Sequence, residues 1–294
     1  MGLYLFGCSF YLEGKNLESA LYIVATPIGN LNDITLRAIE TLKGVDCIAA
    51  EDTRHTKRLL DALTISAKMV SLHEHNEFER ADSVLEKVIQ GGSVALVSDA
   101  GTPLISDPGS ILVRKAKELG IKVVPVPGPS ALIAGLSVSG ADCRRFIFEG
   151  FLPVKSKARR DCLMRFEREG RTVVFYESPH RIVDTLSDFA GLYPERGLVL
   201  ARELTKTFET VKRASVREVQ AFVEADANQQ RGEFVLMLEG VEHELSTEDF
   251  EFAKGLMAEL VTELPPKKAA AIVSRVTQYK KNELYEMALA LKKT

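Results

Sequence analysis

Val94-Ala-Leu-Val-Ser-Asp-Ala-Gly-Thr-Pro-Leu-Ile-Ser-Asp-Pro-Gly109 changes character at Ser98. Val94 to Val97 is a short apolar run and reads as a buried strand. From Ser98 onward small, polar and turn-forming residues take over, more of them than a strand-to-helix link requires. A loop at the carboxyl end of a parallel strand is where open α/β sheets bind ligands. Gly101 lets a ligand approach the backbone, and Pro103 stiffens the turn. Asp107-Pro108 reads as the cap and first residue of the next helix. That role does not account for Asp99 to Ile105, which we read as a ligand loop.

Upstream, Leu21-Tyr-Ile-Val-Ala-Thr26 predicts a strand that runs into Pro27-Ile-Gly-Asn-Leu31. A helix follows from Thr35, its expected cap. Val45 to Ala50 reads as the next strand, ending in Glu51-Asp-Thr-Arg-His-Thr56. Asn76 is expected to cap a helix with apolar positions Phe78, Ala81, Val84, Leu85, Val88 and Ile89, ended by Gly91-Gly92. Downstream of the central loop come a helix near Ile111, a strand at Val123-Val-Pro-Val-Pro127, and a helix after Gly128-Pro-Ser-Ala131. Strands alternating with helices imply a mostly parallel sheet covered on both faces.

The composition shifts at Phe146, where we place the first boundary. Strands are expected at Thr172-Val-Val-Phe-Tyr-Glu-Ser178, Gly197 to Arg202, Glu209 to Ala214 and Glu233 to Leu238, with a hairpin near Lys206 that makes this second sheet mixed. A third segment carries a helical stripe of Phe250, Ala253, Leu256, Met257, Leu260, Val261 and Leu264. Pro265-Pro266 breaks it and opens a second helix, and a third starts at Lys280 or Asn282. The expected organisation is a leader over 1–20, an α/β domain over 21–145, a second α/β domain over 146–245, and a helical module over 246–294. The leader is apolar but has no basic region before it and is too short to span a bilayer; we expect it to be disordered.

The chain has 294 residues, 46% hydrophobic and 27% charged, with a formal net charge of −3. It is therefore not a polycation, and any contact with nucleic acid must come from local patches. Cys8, Cys47, Cys143 and Cys162 are scattered, which suggests neither a zinc site nor a disulfide framework and fits a reducing cytoplasm.

Thr26-Pro-Ile-Gly-Asn-Leu31, Ala50-Glu-Asp-Thr-Arg54, Ser98 to Gly109, Pro127-Gly-Pro-Ser130, Phe175-Tyr-Glu-Ser178 with His180-Arg181, and Ala201-Arg-Glu-Leu-Thr-Lys206 together resemble the tetrapyrrole-methylase superfamily. The order of the six motifs, with Gly232-Glu-Phe-Val235 and Pro265-Pro-Lys-Lys268, resembles its ribosomal-RNA branch. The resemblance implies two α/β domains with an S-adenosylmethionine cleft between them, a homodimer, and methylation of a cytidine ribose 2′-hydroxyl in small-subunit ribosomal RNA. It implies cofactor contacts from Pro27, Gly29 and Asn30, from Asp99, Thr102, Pro103 and Ile105, and from Ser130 and Ala131. The second domain is expected to add Tyr176, Ala201, Arg202, Glu233 and Phe234. Porphyrin-modifying relatives usually carry Gly-Asp-Pro where this chain has Gly101-Thr102-Pro103, which favours the RNA branch.

A ribose hydroxyl is a poor nucleophile until a base or hydrogen-bond acceptor takes its proton. Candidates in the motif loops are Asp99, Glu51, Asp52, Glu177 and Glu203, with Asp99 and Glu177 ranked first as catalytic. Asp99 is also read as a brace for its own loop. His73-Glu-His75 suggests a metal, but it has no third ligand and the chemistry needs none. RNA contact is expected from Arg54, Lys57 and Arg58, from Lys155, Lys157, Arg159 and Arg160, and from Lys267, Lys268, Lys280 and Lys281. Each cluster also has a plainer reading as a solvated surface. Two other functions remain open on the sequence: a tetrapyrrole methyltransferase, and a non-catalytic RNA-binding assembly factor.

Overall fold

A computed structural model describes residues 17–241, 247–277 and 279–292. The chain divides into two compact units between Gly240 and Val241.

The first unit holds both sheets. In the first, β1 (Leu21–Val24), β2 (Cys47–Ala50), β3 (Met69–Ser71), β4 (Val94–Val97) and β5 (Val123–Val126) are all parallel, in the order β3-β2-β4-β1-β5. Side chains alternate between two cores, as the two-residue period of a strand demands. Tyr22, Val24, Ile48, Ala50, Ala95 and Val97 face α1 (Leu36–Gly44) and α2 (Thr53–Ala62). Leu21, Cys47, Ala49, Val94 and Leu96 face α3 (Glu77–Ile89) and α4 (Ser110–Glu118). The chain leaves β1 toward β2 and leaves β4 toward β5, on opposite sides. The adjacent ends of β1 and β4 are therefore the switch point at which such sheets bind ligands.

In the second sheet, β6 (Phe146–Phe151) and β7 (Thr172–Glu177) are parallel, and β8 (Gly197–Arg202), β9 (Thr210–Ser215) and β10 (Phe234–Leu238) complete the order β6-β7-β10-β8-β9 with antiparallel pairings. One face packs on α6 (Ser156–Met164), α7 (Ile182–Leu192) and α8 (Val216–Ala225). The other takes α5 (Ala131–Ser139), which follows the last strand of the first sheet: Leu132 and Leu136 pack with Val174, Val199, Val235 and Met237. A Cβ on Gly135 would come within 3.3 Å of Val235 Cγ1, so glycine sets how closely α5 lies on the sheet.

The second unit is α9 (Thr247–Glu263), α10 (Pro266–Val276) and α11 (Lys281–Leu291). Ala253, Met257, Val261, Ala269, Ala270, Val273, Leu284 and Ala288 form its core. Pro266 opens α10 at its first position, where the missing N–H costs nothing. No described helix is long and apolar enough to cross a membrane.

Thr35 caps α1 as expected, its side chain accepting from the Ala38 N–H. Two other caps are corrected. Asn76 makes no side-chain cap; its Oδ1 accepts from His73 N–H, back into the preceding turn. Asp107-Pro108 does not start α4 either. Gly109 occupies the cap position, and the buried Glu77 carboxylate accepts from Ile111 and Leu112 N–H at 2.7 and 2.9 Å. A carboxylate from α3 thus does the work of a cap on α4, which frees Asp107 for another role. The reading by periodicity also passed over α2, β3, β6, α6 and α8. The expected leader lies outside the described residues up to residue 16, whereas Leu17 packs on the first core and Ala20 is buried in it.

Candidate functional site

The loops after β1 and β4 are joined at the switch point. Thr26 and Gly101 exchange backbone hydrogen bonds of 2.8 and 3.0 Å, and the Thr26 hydroxyl donates to Ser98 O. Thr102 Oγ donates to Pro129 O at 3.0 Å, tying the β4 loop to the β5 loop. A carboxylate at position 102 could not donate that bond, which gives the hydroxyl there a structural reason. Leu104 and Ser106 take φ of 75° and 66°. Left-handed backbone at residues with side chains costs on the order of 1–3 kcal/mol each and persists where the surroundings fix it, commonly at functional sites.

These loops face the second sheet across a cavity of about 350 Å³. Ile28, Glu51, the run Asp99 to Thr102, Ile105, Ser106, Asp107, Ser130 and Ala131 supply one side. Phe151, Tyr176 to Pro179, Leu204, and Glu233 to Val235 supply the other. Tyr176 bridges the two, its hydroxyl accepting from the Leu132 N–H at the start of α5. On the far wall Glu203 and Thr205 also take positive φ, 51° and 68°. Lys206 Nζ joins Glu203 and Glu233 at 2.8 Å each, locking the end of β8 to the start of β10.

Three carboxylates gather on the first side. The Asp99 N–H donates to Glu51, and Asp99 Oδ1 accepts from the Asp52 N–H. Burial pushes the Glu51 carboxyl up; the Asp99 N–H opposes this and the Asp99 and Asp52 charges add to it. Burial pushes Asp107 up to about 6, against a hydrogen bond from Ser98 and with help from the Glu51 and Asp99 charges. The first side is thus lined by carboxyl groups, and the site is apolar elsewhere, through Ile28, Leu204, Phe234 and Val235.

Of the residues expected to bind the cofactor, Asp99, Thr102, Ile105, Ser130, Ala131, Tyr176, Glu233 and Phe234 line this cavity. Pro27, Gly29, Asn30, Pro103, Ala201 and Arg202 are not among its lining residues. Ala201 is buried in the core under α5. Arg202 is buried with its guanidinium on Arg231 O and Phe208 O, so it braces the β8–β9 turn. Glu177, ranked as catalytic, is also among the cavity-lining residues, and its carboxylate is held by hydrogen bonds of its own. Its side chain is 0% exposed, accepting from its neighbour Ser178 N–H, from Thr185 Oγ and from Arg181. These partners belong to the Ser178–Arg181 turn and the first turn of α7. Asp107, Glu51, Phe151, Leu204 and Val235 also line the cavity but were not among the cofactor contacts expected from sequence. A half-buried Asp two residues before a Gly-capped helix has no distinctive pattern, and the apolar ones read as plain core.

The basic clusters also divide. Lys155, Lys157 and Arg160 are exposed around the start of α6, but Arg159 is buried, its Nε donating to Asp188 at 2.6 Å. Arg159 faces inward because the helical period turns it away from its neighbours. Arg54 pairs with Asp52 and Lys57 with Asp61, while Arg58 is exposed. Lys267, Lys268, Lys280 and Lys281 are exposed on the second unit.

Comparison with known proteins agrees with this architecture. The family model of tetrapyrrole (corrin/porphyrin) methylases matches residues 20–220, and that of the RsmI C-terminal HTH domain matches 247–292. The chain is 53% identical over 279 residues to ribosomal RNA small subunit methyltransferase I of Escherichia coli O157:H7, covering 94% of this chain and 97% of that one. It is 52% identical over 277 residues to the protein of the same name from Haemophilus influenzae, covering 94% and 98%. Among solved structures it resembles a cobalt precorrin-4 methyltransferase (TM-score 0.55, 17% identity, 75% of this chain and 95% of that). It also resembles a diphthine synthase (TM-score 0.57, 16% identity, 76% and 91%). At these identities the two structures speak to the fold alone.

Proposed function

The chain belongs to the tetrapyrrole methylase family, and from that premise we propose that it methylates a cytidine ribose 2′-hydroxyl in small-subunit ribosomal RNA, using the cavity between its two sheets as the S-adenosylmethionine site. The observation that carries the reading is that cavity. Its volume falls within the roughly 300–1,000 Å³ of small-ligand sites. Its acidic first side suits the sulfonium and ammonium charges of the cofactor, and its apolar residues suit the adenosine.

When bound, S-adenosylmethionine supplies an activated methyl group on sulfur. The chain's residues supply alignment, dryness and a proton acceptor. Ile28, Leu204, Phe234 and Val235 keep water from the reacting atoms. Thr102 and Tyr176 fix the β4 loop and the start of α5 around the ligand. Asp99 braces the β2 and β4 loops against each other. We assign the ribose proton to the Asp107 carboxylate. It lies on the cavity wall, and it is a stronger base than an ordinary Asp yet mostly ionised at neutral pH.

The exposed lysines and arginines around α6 and on the second unit are read as phosphate contacts, which gives the helical unit an RNA-docking role. The partner is then the small ribosomal subunit, and the site of action the cytoplasm. A homodimer is supported by α5, which is apolar nearly all round and leaves Ile133 and Val138 exposed on its outer side. The reading is tested by offering labelled S-adenosylmethionine with small ribosomal subunits or with a tetrapyrrole. Label on the RNA supports it, and label on the macrocycle alone overturns it.

A further inference from the structure

Phe151 lines the cavity and yet stays 52% exposed. It ends β6, the edge strand of the second sheet, just past an irregularity at which the β6–β7 register shifts between Phe148 and Gly150. Gly150 takes a φ of 78°, and a Cβ there would sit 3.1 Å from Ser106 Oγ. Such a bulge bends a strand and re-aims the side chains after it. Here it presses the end of β6 against the β4 loop and delivers the next ring to the cavity mouth. The ring meets Tyr176 at 5.7 Å and 64°, an edge contact rather than a stack. Three residues further on, Val154 is 74% exposed, and Lys155 and Lys157 follow it into solvent. An open aromatic ring at the mouth of a methyl-transfer cavity, with free cations beside it, matches what a splayed nucleotide needs. RNA-modifying proteins hold extruded bases by stacking on aromatic rings and hold the flanking backbone by charge.

We propose that Phe151 is the stacking platform for the target base, holding the pyrimidine at the cavity mouth so that its ribose enters, while Lys155 and Lys157 take the neighbouring phosphate. The inference rests on the RNA-methylation reading above. It makes Phe151 a substrate-positioning residue and separates it from the walls that hold the cofactor.

The test compares Phe151→Ala, Phe151→Leu and Phe151→Trp by kcat/KM on small ribosomal subunits and by calorimetric affinity for S-adenosylhomocysteine. Base–aromatic stacking predicts a fall of about 10- to 100-fold in kcat/KM for Ala. Leu should stay close to Ala, Trp should retain most of the activity, and all three should bind S-adenosylhomocysteine like wild type. A Leu variant with wild-type kcat/KM would reduce the ring to an apolar wall and overturn the proposal. So would an Ala variant whose S-adenosylhomocysteine affinity falls in step with its activity. Wild-type protein that binds S-adenosylhomocysteine but leaves subunits unmethylated would remove the functional reading, and this inference with it.

Discussion

The Tyr176 hydroxyl accepts a hydrogen bond of 3.1 Å from the Leu132 N–H, so a side chain of the second sheet holds the first turn of the helix leaving the first sheet. Burial pushes the Tyr176 phenol up, with the Leu132 and Ser130 hydrogen bonds opposing, so it is neutral at any physiological pH. The bond is a direct polar link between the two walls of the cavity. Tyr176→Phe keeps the ring and deletes the acceptor. We expect a loss of about 1–3 kcal/mol of stability, the usual effect of leaving a partly buried donor unpaired. Affinity for S-adenosylhomocysteine should fall with it. Chemical denaturation and calorimetry read the two effects.

Asp107 gives the protein a pH signature. Its folded value of about 6 lies above the ordinary 3.8, so the folded state binds more protons than the unfolded state between those values. Stability should therefore fall as pH rises through that window, by on the order of 1–3 kcal/mol, and Asp107→Asn should flatten the slope. In catalysis the same variant should lower kcat and kcat/KM together, by about 10²- to 10⁴-fold, and remove an acidic limb near pH 6. A pH–rate profile of wild type and variant checks this. An unchanged limb in the variant would contradict the proton-acceptor role of Asp107.

The cluster around α6 should split in two. Lys155, Lys157 and Arg160 replaced by Gln should leave folding intact and reduce the slope of log affinity for RNA against log salt by about 2, at roughly 0.7 per phosphate contact. Arg159→Gln should instead strand the Asp188 carboxylate and cost about 3–5 kcal/mol of stability. Salt titrations of binding and urea melts distinguish the two.

Removal of the helical unit by ending the chain at Gly240 should leave S-adenosylhomocysteine affinity near wild type, because every cavity residue lies in the first unit. Methylation of small subunits should fall by at least about tenfold if four or more phosphate contacts leave with it. Parallel loss of both would mean that the helical unit supports the fold of the first.

Much of this was legible in the sequence because strands and ligand loops announce themselves locally. The run Val94 to Val97 followed by Ser98 to Gly109 marks a buried parallel strand and the turn at its carboxyl end, and both are found there. Pro265-Pro266 marked a helix boundary for the same local reason. What stayed hidden depends on distant partners. Glu77 caps a helix 34 residues away, so nothing near Asp107 revealed that its expected cap role was taken. Glu177 sits in a motif loop like Asp99, but only the fold shows Thr185 closing around it. Arg159 and its exposed neighbours differ only in which side of α6 they occupy, and that helix was not predicted. Helix α2 is similarly masked by the charge density of Thr53 to Arg58, where few apolar positions reveal a period.

The central claim is that one cofactor is held between both sheets. Hydrogen exchange with and without S-adenosylhomocysteine tests it directly. The account predicts slowed exchange in residues 99–107 and 130–134 of the first half together with 176–178 and 233–235 of the second, and little change in 247–292. Protection confined to one sheet, or appearing chiefly in the helical unit, would contradict it.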